Sequence, residues 1–306
     1  MIRLTPSCYY IAGNVNIGYI TDGETGLLID AGLEKRQAKQ AVKAVTEGGY
    51  PLTHLLITHA HADHFGGADW LAKQHQLIVL APPLEQAVLS FPKLEPLYLF
   101  QGNEPPAELR TKFLEGPAIK VEETVEEGRC FIGTLAVEIL SLKGHSHEQV
   151  GVMCDGILYA ADSYFGEEYL QKHAIPFIVD YEETIRSIEQ VQAAVSNGVG
   201  VLPGHGDFEA DGTTTLEMNL KRHQAIYQSI ADLIQQQSPL PLTDVIATTC
   251  SAYNVTIDNL PKWALYRTAV TAYVTALVRR KEAEWVFIEQ KLCVQSAQGT
   301  ENSCKG

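Results

Sequence analysis

The chain has 306 residues, of which 45% are hydrophobic and 20% are charged, a composition typical of folded globular proteins. Its formal net charge of −14 at pH 7 disfavours non-specific nucleic-acid binding, because phosphates carry the same sign. The charge is uneven, since residues 1–220 carry −16 and residues 221–306 carry +2. The second segment is therefore predicted to form a separate unit.

The sequence also indicates where the protein resides. Asn14, Asn16 and Asp22 interrupt the apolar runs near the amino terminus, so no signal peptide is predicted, and no later stretch reaches membrane-spanning length. The six cysteines are scattered without CxxC pairs, which argues against a disulfide framework and against a cysteine zinc site. We expect reduced thiols in a cytoplasmic protein that does not associate with membranes, and a homodimer is compatible with the sequence.

The first third of the chain alternates strands and helices. Segments YYIAG, NIGYITDG and GLLIDAG predict a strand meander that turns at Asp22 and Gly23. Apolar residues at helical spacing over 38–45 predict a helix that stops near Gly48. The strand THLLITH, a helix over residues 66–75 and the strand LIVLAPP follow.

The middle of the chain begins with a poorly periodic segment. Residues 84–116 are rich in proline and aromatic residues, which predicts helix fragments and loop that serve as a lid or as an ordinary surface insertion. Strand GTLAVEILSLKG and a hairpin that turns at residues 155–156 follow. Asp180 and Glu183 predict a capping box at the start of a helix that ends near Gly198, before the strand GVGVLPGHG.

Beyond Leu216 the pattern is mainly helical. Two helices, a longer third helix and a strand-like VFIEQ indicate a winged-helix-like subdomain. The polar stretch over residues 294–306 is predicted to be disordered.

The strongest chemical signal is THAHADHFGG, which follows a predicted strand and precedes a predicted helix. His59, His61, Asp63 and His64 are spaced so that a loop can direct all four side chains at one point. The alternative is a scatter of core histidines, but so many ionisable groups are costly to bury without metal or charged partners. The motif therefore predicts a metal site.

On this motif the chain resembles the metallo-β-lactamase superfamily, whose HxHxDH signature these residues match. Four further family positions have counterparts in the required order: Asp30 in GLLIDAG, His145 in LKGHSHEQVG, Asp162 in YAADS and His205 in LPGHGD. The resemblance implies an α/β fold, a four-layer αββα metallo-β-lactamase sandwich over residues 1–220. The helical, winged-helix-like subdomain would then occupy residues 221–306.

The resemblance also implies a ligand set for two divalent metal ions. One metal would be held by His59, His61 and His145, the other by Asp63, His64 and His205, with Asp162 between the two and Asp30 supporting the histidine loop from behind. Zinc is the default assignment, and manganese or iron are alternatives, because histidine and carboxylate ligands suit all three.

Such a pair of cations explains a hydrolytic activity. Cations about 3.5 to 4 Å apart can bind one hydroxide, lower the pKa of water from about 15.7 to near 7, and polarise a carbonyl or phosphoryl oxygen. Asp63 and Asp162 partly offset the metal charge, and either could pass a proton to the leaving group. The sequence does not choose between these two catalytic carboxylates.

Substrate selection is expected to come from loops around the site. The candidate pocket residues are His147, Tyr164, Phe165, Tyr169 and His173, together with the aromatic stretch over residues 91–100. His147 and Glu148 depart from the small or proline-containing turn of many relatives, and His147 touches substrate, competes as a metal ligand or, as we favour, faces solvent. Core packing explains the aromatic residues equally well. The remaining histidines, His54, His75 and His223, fit no motif and are interpreted as structural.

The leading functional hypothesis is hydrolysis of a small ester, thioester or lactone, by resemblance to glyoxalase II-like enzymes. One alternative is a phosphodiesterase or nuclease, against which the acidic charge of residues 1–220 argues. A second alternative, of another class, is an iron-dependent oxidoreductase of the sulfur dioxygenase type. A regulatory protein that only retains the fold is disfavoured by the complete set of ligand motifs.

Overall fold

The computed structural model describes residues 1–297, which form fifteen strands and ten α-helices. The strands are β1 (Ile2–Arg3), β2 (Cys8–Ile11), β3 (Ile17–Thr21), β4 (Gly26–Ile29), β5 (His54–Leu56), β6 (Ile78–Ala81), β7 (Glu123–Thr124), β8 (Gly128–Ile132), β9 (Leu135–Ser141), β10 (Val150–Cys154), β11 (Ile157–Ala161), β12 (Gly200–Pro203), β13 (Leu240–Pro241), β14 (Ala283–Ile288) and β15 (Lys291–Ser296). The helices are α1 (Lys35–Glu47), α2 (Ala62–Phe65), α3 (Ala68–His75), α4 (Pro83–Ser90), α5 (Leu94–Leu99), α6 (Glu167–Lys172), α7 (Tyr181–Ser196), α8 (Thr213–Gln237), α9 (Leu242–Ala252) and α10 (Leu260–Arg279).

Two expectations about the whole chain can be compared with this structure directly. Among the ten helices of residues 1–297, none is long and apolar enough to cross a membrane. The five cysteines in the described range are free thiols, and Cys304 lies outside that range.

The first sheet has seven strands in the order β1 to β7 and begins with the predicted meander. Strands β1 to β4 are antiparallel, whereas β4 to β7 are parallel. Asp22 fixes the turn before β4, because its Oδ1 accepts hydrogen bonds from the N–H groups of Glu24 (2.9 Å) and Thr25 (2.8 Å). Since parallel strands end at the same edge, the loops after β4 and β5 lie side by side.

The second sheet has five strands in the order β12, β11, β10, β9, β8. Strands β11 and β12 are parallel, and the other pairs are antiparallel. The β10–β11 hairpin turns at Asp155 and Gly156, which have φ values of 47° and 74°. Both positions are left-handed, as an Asp-Gly hairpin turn requires.

Apolar side chains pack the two sheets face to face. Ile20 and Leu56 of the first sheet share one buried cluster with Val137 and Val152 of the second. Helices α1 and α3 cover the outer face of the first sheet, and α7 and α8 cover that of the second. These layers give the predicted four-layer αββα architecture, in which each sheet buries both of its faces.

The amino terminus of α7 differs in one respect from the predicted capping box. The Asp180 carboxylate accepts hydrogen bonds from the N–H groups of Glu182 (2.9 Å) and Glu183 (3.2 Å), as expected. The Glu183 side chain does not return the bond, because it pairs with Arg186. The Asp180 N–H donates instead to the carbonyl of Gly144 (3.1 Å), so a tertiary contact replaces the local one.

The carboxyl-terminal region contains α8, α9 and α10 with the three-stranded sheet β13–β15–β14. The predicted boundary at residue 220 lies inside α8, so this helix belongs to both packing units. The winged-helix-like interpretation stays a prediction for these elements.

The prediction of disorder from residue 294 is wrong for the first three residues. Residues 294–296 belong to β15 and pair with β14. Val294 is fully buried in the cluster formed by α8, α9 and α10, and this burial fixes a strand that polar composition alone did not indicate. Residues 298–306 lie outside the described range.

Candidate metal centre

The histidine-rich motif leaves β5 as a loop and passes directly into a helical turn. His59 and His61 lie in the loop, whereas Asp63 and His64 lie on α2. The helix predicted over residues 66–75 corresponds to α3, and the short α2 before it was not predicted. The change of direction between loop and helix lets side chains from both parts face one point.

Asp30 holds this motif from the end of the neighbouring strand. It has a left-handed backbone (φ 64°), which is uncommon for a residue other than glycine. Its buried carboxylate accepts hydrogen bonds from the Thr58 N–H (2.9 Å) and hydroxyl (2.9 Å), and it lies 2.8 Å from His64 Nδ1. These contacts turn His64 Nε2 inward, as a supporting role of Asp30 requires.

All seven residues predicted as metal ligands meet in one place. Their ligand atoms form three clusters, each with distances below 4.8 Å: His59, His61 and His145; His59, His64 and Asp162; and Asp63, His64 and His205. Asp162 lies between the other residues. Its Oδ2 is 3.3 Å from His145 Nε2 and 3.4 Å from His205 Nε2. Its Oδ1 is 3.4 Å from His64 Nε2.

The backbone around Asp162 explains this central position. Ala161, at the end of β11, has a left-handed conformation (φ 47°) that directs the following residue out of the sheet. The Asp162 N–H donates to Gln149 Oε1 (3.2 Å). A Cβ atom at Gly204 would lie 2.1 Å from Asp162 Oδ1, so the close approach of the two loops requires glycine at that position.

Two carbonyl groups orient the remaining histidines. His145 Nδ1 donates to the Phe177 carbonyl (3.0 Å), and His205 Nδ1 donates to the Asn14 carbonyl (2.7 Å). In each ring the carbonyl holds a proton on Nδ1 and leaves Nε2 facing the centre, which is the orientation of metal-binding histidines.

The electrostatic environment divides the site into two parts. Burial and the neighbouring histidines lower the pKa of His59 well below its ordinary value, and burial lowers the pKa of His61 to about 4 and of His145 to about 3. These three rings are neutral at physiological pH, the form that binds metals.

The other part is dominated by carboxylates. Burial lowers the pKa of His205, but Asp162 and Asp63 outweigh it and raise this pKa to about 10. Burial raises the pKa of Asp63, but His64 and His205 outweigh it and lower this pKa to about 2. Burial also raises the pKa of Asp162, but His205 and His64 outweigh it and lower this pKa well below its ordinary value. Both aspartates are therefore ionised and attract positive charge.

Several buried atoms of the site have no hydrogen-bond partner within residues 1–297. They are His59 Nε2, His64 Nε2, His205 Nε2 and Asp162 Oδ1. An unsatisfied buried polar group costs about 1 to 3 kcal/mol, so four of them at one point are expensive unless a ligand binds them. Imidazole nitrogens and a carboxylate oxygen are suitable ligands for zinc, manganese or iron, and the residues present fit a divalent metal ion.

Sequence reasoning missed Glu85, which joins the two halves of the site. This buried residue of α4 accepts hydrogen bonds from the Ala60 N–H (2.9 Å), the Ser146 hydroxyl (2.7 Å) and the Glu148 N–H (2.9 Å). It thus holds the His59–His64 loop against the His145 loop. Glu85 belongs to no motif, and its segment has poor periodicity, so no local signal could have revealed this role.

Three of the predicted pocket residues lie beside the candidate metal centre. The Phe165 ring lies 5.7 Å from that of His145, and Tyr169 stacks on His205 with ring centroids 4.3 Å apart. The His173 ring lies 4.3 Å from Tyr169, one layer further out. These three side chains form one wall beside the candidate metal ligands.

The other two pocket candidates lie elsewhere. Tyr164 is buried in the cluster of Leu140 and Ile188, between the second sheet and α7, apart from the aromatic wall. His147 is exposed, and its ring centroid lies 6.2 Å from that of Tyr98 on α5. The segment over residues 84–116 therefore reaches the site through both α4 and α5.

The three histidines outside the motifs have local partners. His54 Nδ1 lies 2.8 Å from the Thr53 hydroxyl, and His223 Nδ1 lies 2.7 Å from the Tyr273 hydroxyl. The His75 ring packs edge-on against Trp70 at 5.7 Å. None of the three belongs to the ligand clusters found among residues 1–297.

With this geometry in place, comparison with known proteins decides the family. The family model described as "Metallo-beta-lactamase superfamily" matches residues 10–205, well over half of the chain. The chain belongs to the metallo-β-lactamase superfamily. The match contains β3 to β12 and all seven ligand candidates, and it confirms the resemblance on which the predicted fold and enzyme class were based.

Curated relatives of this superfamily member carry hydrolase names. A hydroxyacylglutathione hydrolase from Rhodopseudomonas palustris (strain BisB5) is 28% identical over 49% of this chain and 48% of its own length. The chain thus matches about half the length of that relative. The probable metallo-hydrolase YqjP from Bacillus subtilis (strain 168) is 26% identical over 65% of this chain and 69% of its own length.

Solved structures extend the likeness of fold to the carboxyl-terminal region. A metallo-beta-lactamase family protein from Thermus thermophilus superimposes with a TM-score of 0.70, at 16% identity, over 96% of this chain and 100% of its own. A beta-lactamase domain protein from Burkholderia ambifaria superimposes with a TM-score of 0.72, at 15% identity, over 97% and 94%. The superfamily fold with its helical extension is therefore shared by both.

Proposed function

We propose that this superfamily member is a metal-dependent hydrolase of a small ester, thioester or lactone. The observation that carries the proposal is the group of buried imidazole and carboxylate atoms that converge without hydrogen-bond partners among residues 1–297. The hydrolase names of the curated relatives support the reaction class.

Two divalent ions, zinc by default, would occupy the centre. His59, His61 and His145 would hold one ion, and Asp63, His64 and His205 would hold the other, with Asp162 available to both. When bound, such ions would lower the pKa of water and polarise the substrate carbonyl.

The protein's own contribution is orientation and exclusion of water. Asp30, the Phe177 carbonyl and the Asn14 carbonyl hold the imidazole rings so that their inner nitrogens face one point. The Phe165 and Tyr169 rings cover His145 and His205 on one side, which keeps bulk water from that side of the substrate. Asp63 and Asp162 remain the candidates for transferring a proton to the leaving group.

The test combines metal analysis with a substrate panel on one sample. Purified protein is analysed for zinc, manganese and iron and is then assayed on an ester, a thioester, a lactone and a phosphodiester. We expect about two metal ions per chain and hydrolysis of at least one carboxylic ester or thioester. His59→Ala should lose metal and reduce kcat/KM by at least about 100-fold, because the ion and its activated water are lost together.

His75→Ala is the matched control, because His75 contacts Trp70 and lies outside the clusters. It should retain both metal and activity. A metal-loaded wild type that is inert toward all carboxylic esters, thioesters and lactones would contradict the proposal. Turnover of the phosphodiester alone would replace it with the phosphodiesterase alternative, and oxygen consumption with a persulfide by an iron-loaded sample would replace it with the oxidoreductase alternative.

A further inference from the structure

Two cysteines from different sheets lie side by side in the sandwich. Cys8 begins β2 of the first sheet, and Cys154 ends β10 of the second. The Cys8 thiol donates a hydrogen bond to the Cys154 carbonyl, with 3.3 Å between Sγ and the oxygen. Both side chains pack in the apolar cluster that fills the space between the sheets. Neither belongs to a ligand cluster found among residues 1–297, so metal binding does not account for the pair.

The residues next to these cysteines hold the two segments together. The Ser7 hydroxyl donates to Asp155 Oδ2 (2.7 Å), so a hydrogen bond joins the sheets beside the cysteine pair. The Cys8 N–H donates to the Thr5 hydroxyl (3.1 Å), which fixes the start of β2. The two segments are therefore held in place by contacts that do not involve the sulfur atoms.

The pair combines a buried sulfur with an accessible one. Cys8 is fully buried, whereas Cys154 is half-buried. A hydrogen bond from the Cys154 thiol lowers the pKa of Cys8 to about 7, and the Thr5 and Ser7 hydroxyls act in the same direction, whereas burial opposes them. The hydrogen bond with Cys8 raises the pKa of Cys154. The pair therefore carries a thiolate near neutral pH, and a thiolate is the form of cysteine that reacts.

We infer that Cys8 and Cys154 form a disulfide bond on exposure to a peroxide, and that this bond links the two sheets covalently. The inference does not depend on the proposed hydrolase function. Because Cys8 Sγ already contacts the main chain of Cys154, the two sulfurs can meet by rotation of the side chains.

The reaction transfers two electrons from the thiols to the peroxide. The accessible Cys154, as a thiolate after its proton has passed to Cys8, attacks one oxygen of hydrogen peroxide, the O–O bond breaks, and a sulfenic acid and hydroxide form. The Cys8 sulfur then attacks the Cys154 sulfur, the S–O bond breaks, and hydroxide leaves. The protons of the two thiols neutralise the two hydroxides. Two thiols and one hydrogen peroxide thus give one disulfide and two water molecules.

Cys130 provides a matched control on the same sheet. It is half-buried and packs against the same apolar cluster. It faces Val137 of β9, and Met153 of β10 faces Glu138 of β9, so β9 separates Cys130 from Cys154. Two strand spacings amount to about 9.6 Å, whereas a disulfide requires Cα atoms within about 7 Å. Cys130 therefore cannot replace Cys8 as the partner of Cys154.

The cysteine pair lies at the end of the sheets opposite to the candidate metal centre. Cys154 pairs with Ile157 at the start of β11, whereas Asp162 follows the end of that strand. A bond at this end should leave the candidate ligands in place. It should instead stabilise the fold, because it closes the long loop between residues 8 and 154 in the unfolded chain.

The test treats the zinc-loaded full chain with hydrogen peroxide and maps its cysteines. Remaining thiols are blocked with N-ethylmaleimide under denaturing conditions, and the chain is digested with trypsin without reduction. Residues 4–35 and residues 144–172 are the tryptic peptides that carry Cys8 and Cys154, and each contains a single cysteine. In monomeric protein, we expect the two peptides to be joined with the loss of two hydrogen atoms, and to separate on reduction.

Three variants assign the bond. Cys154→Ser and Cys8→Ala should lack the joined peptides, and Cys130→Ser should form them as the wild type does. Cys154→Ser carries the comparison if Cys8→Ala, at a fully buried position, does not fold. A bond from Cys8 or Cys154 to any other cysteine would overturn the inference. Sulfinic acid at Cys154 without the bond, or two unmodified thiols after treatment, would overturn it as well.

Thermal unfolding tests whether the bond links the sheets. The oxidised wild type should melt about 5 °C or more above the reduced form, since the disulfide restricts the unfolded chain. Peroxide should produce no such rise in Cys154→Ser and the full rise in Cys130→Ser. Zinc content should be the same in the oxidised and reduced wild type. An equal or lower melting temperature of the oxidised form would overturn the stabilising link.

Discussion

At the scale of single residues, Glu85 shows how a side chain outside every motif can shape a site. Its two carboxylate oxygens accept from Ala60 on one histidine loop and from Ser146 and Glu148 on the other. Only an acceptor with two equivalent oxygens serves all three donors. The relative position of His59, His61 and His145 therefore depends on the charge state and shape of one buried carboxylate.

Glu85→Gln tests this dependence. The glutamine amide would direct an N–H group at one of three donors, so the free energy of unfolding should fall by about 1 to 3 kcal/mol, with a loss of kcat/KM as the two loops separate. Thermal unfolding and steady-state kinetics measure the two effects. Glu127→Gln, at an exposed position, should change neither. Equal stability of Glu85→Gln and wild type would show that the three hydrogen bonds do not fix the loops.

At the scale of secondary-structure elements, α7 illustrates how a local signal is combined with tertiary contacts. Its Asp180 caps the helix, receives no return bond from Glu183, and donates its N–H to Gly144 beside His145. The same carboxylate pairs with Arg279 at the end of α10. One residue thus connects the α7 terminus, a ligand loop and the carboxyl-terminal helices.

Replacement of Asp180 should separate capping from ion pairing. Asp180→Ala should lower the free energy of unfolding by about 1 to 2 kcal/mol, because two N–H groups of the first turn lose their acceptor. Asp180→Asn keeps the cap and should lose less, since the ion pair with Arg279 is partly exposed and contributes little. Denaturant unfolding of both variants measures the difference. A larger loss in Asp180→Asn than in Asp180→Ala would contradict this assignment.

At the scale of the whole molecule, the proposed metal centre joins the two sheets. His59 follows β5 of the first sheet, whereas His145, Asp162 and His205 follow strands of the second. Ions that bind all of these residues bind only the folded chain. Zinc at a free concentration 100 times its Kd should therefore stabilise the protein by about 2.7 kcal/mol relative to chelated protein.

Calorimetry with and without a chelator measures this stabilisation. His59→Ala should show a smaller response to zinc, and His75→Ala should respond like the wild type, because His75 lies outside the ligand clusters. An identical melting temperature with and without metal would argue against tight binding at the centre.

Acid sensitivity is a second property of the whole molecule, and His223 contributes to it. Burial lowers the pKa of this histidine, which contacts Tyr273 of α10, to about 3. In the unfolded chain this histidine has an ordinary pKa near 6.5 and therefore binds a proton more readily than in the folded chain. The free energy of unfolding consequently falls as the pH falls below about 6.5, and the decrease levels off below about pH 3.

His223→Gln should make the stability less dependent on pH. The glutamine side chain can accept a hydrogen bond from the Tyr273 hydroxyl and does not titrate. Between pH 7.5 and pH 5 the wild type should lose about 2 kcal/mol more of its unfolding free energy than the variant does. Denaturant unfolding at the two pH values gives the difference. Parallel losses in both proteins would mean that His223 is protonated in the folded state.

The elements that the sequence predicted well carry strong local signals. The Asp-Gly turns at 22–23 and 155–156, the helix after Gly32 and the strand before His59 depend on turn chemistry and periodicity within a few residues. The errors lie where contacts distant in the chain decide. Burial of Val294 against α8 and α10 extends β15. At the start of α7, the Asp180 N–H donates to the Gly144 carbonyl and not to the Glu183 side chain that the capping box predicted.

The sequence by itself determined the family, the order of the motifs and the identities of the seven side chains that converge, because these depend on residue type and spacing along the chain. Only the tertiary structure decided that Glu85 holds the two histidine loops together and that Tyr164 lies in the core. The physical reason is that the partners of a buried polar group come from distant segments. Their presence or absence depends on packing, which no local pattern of residues records.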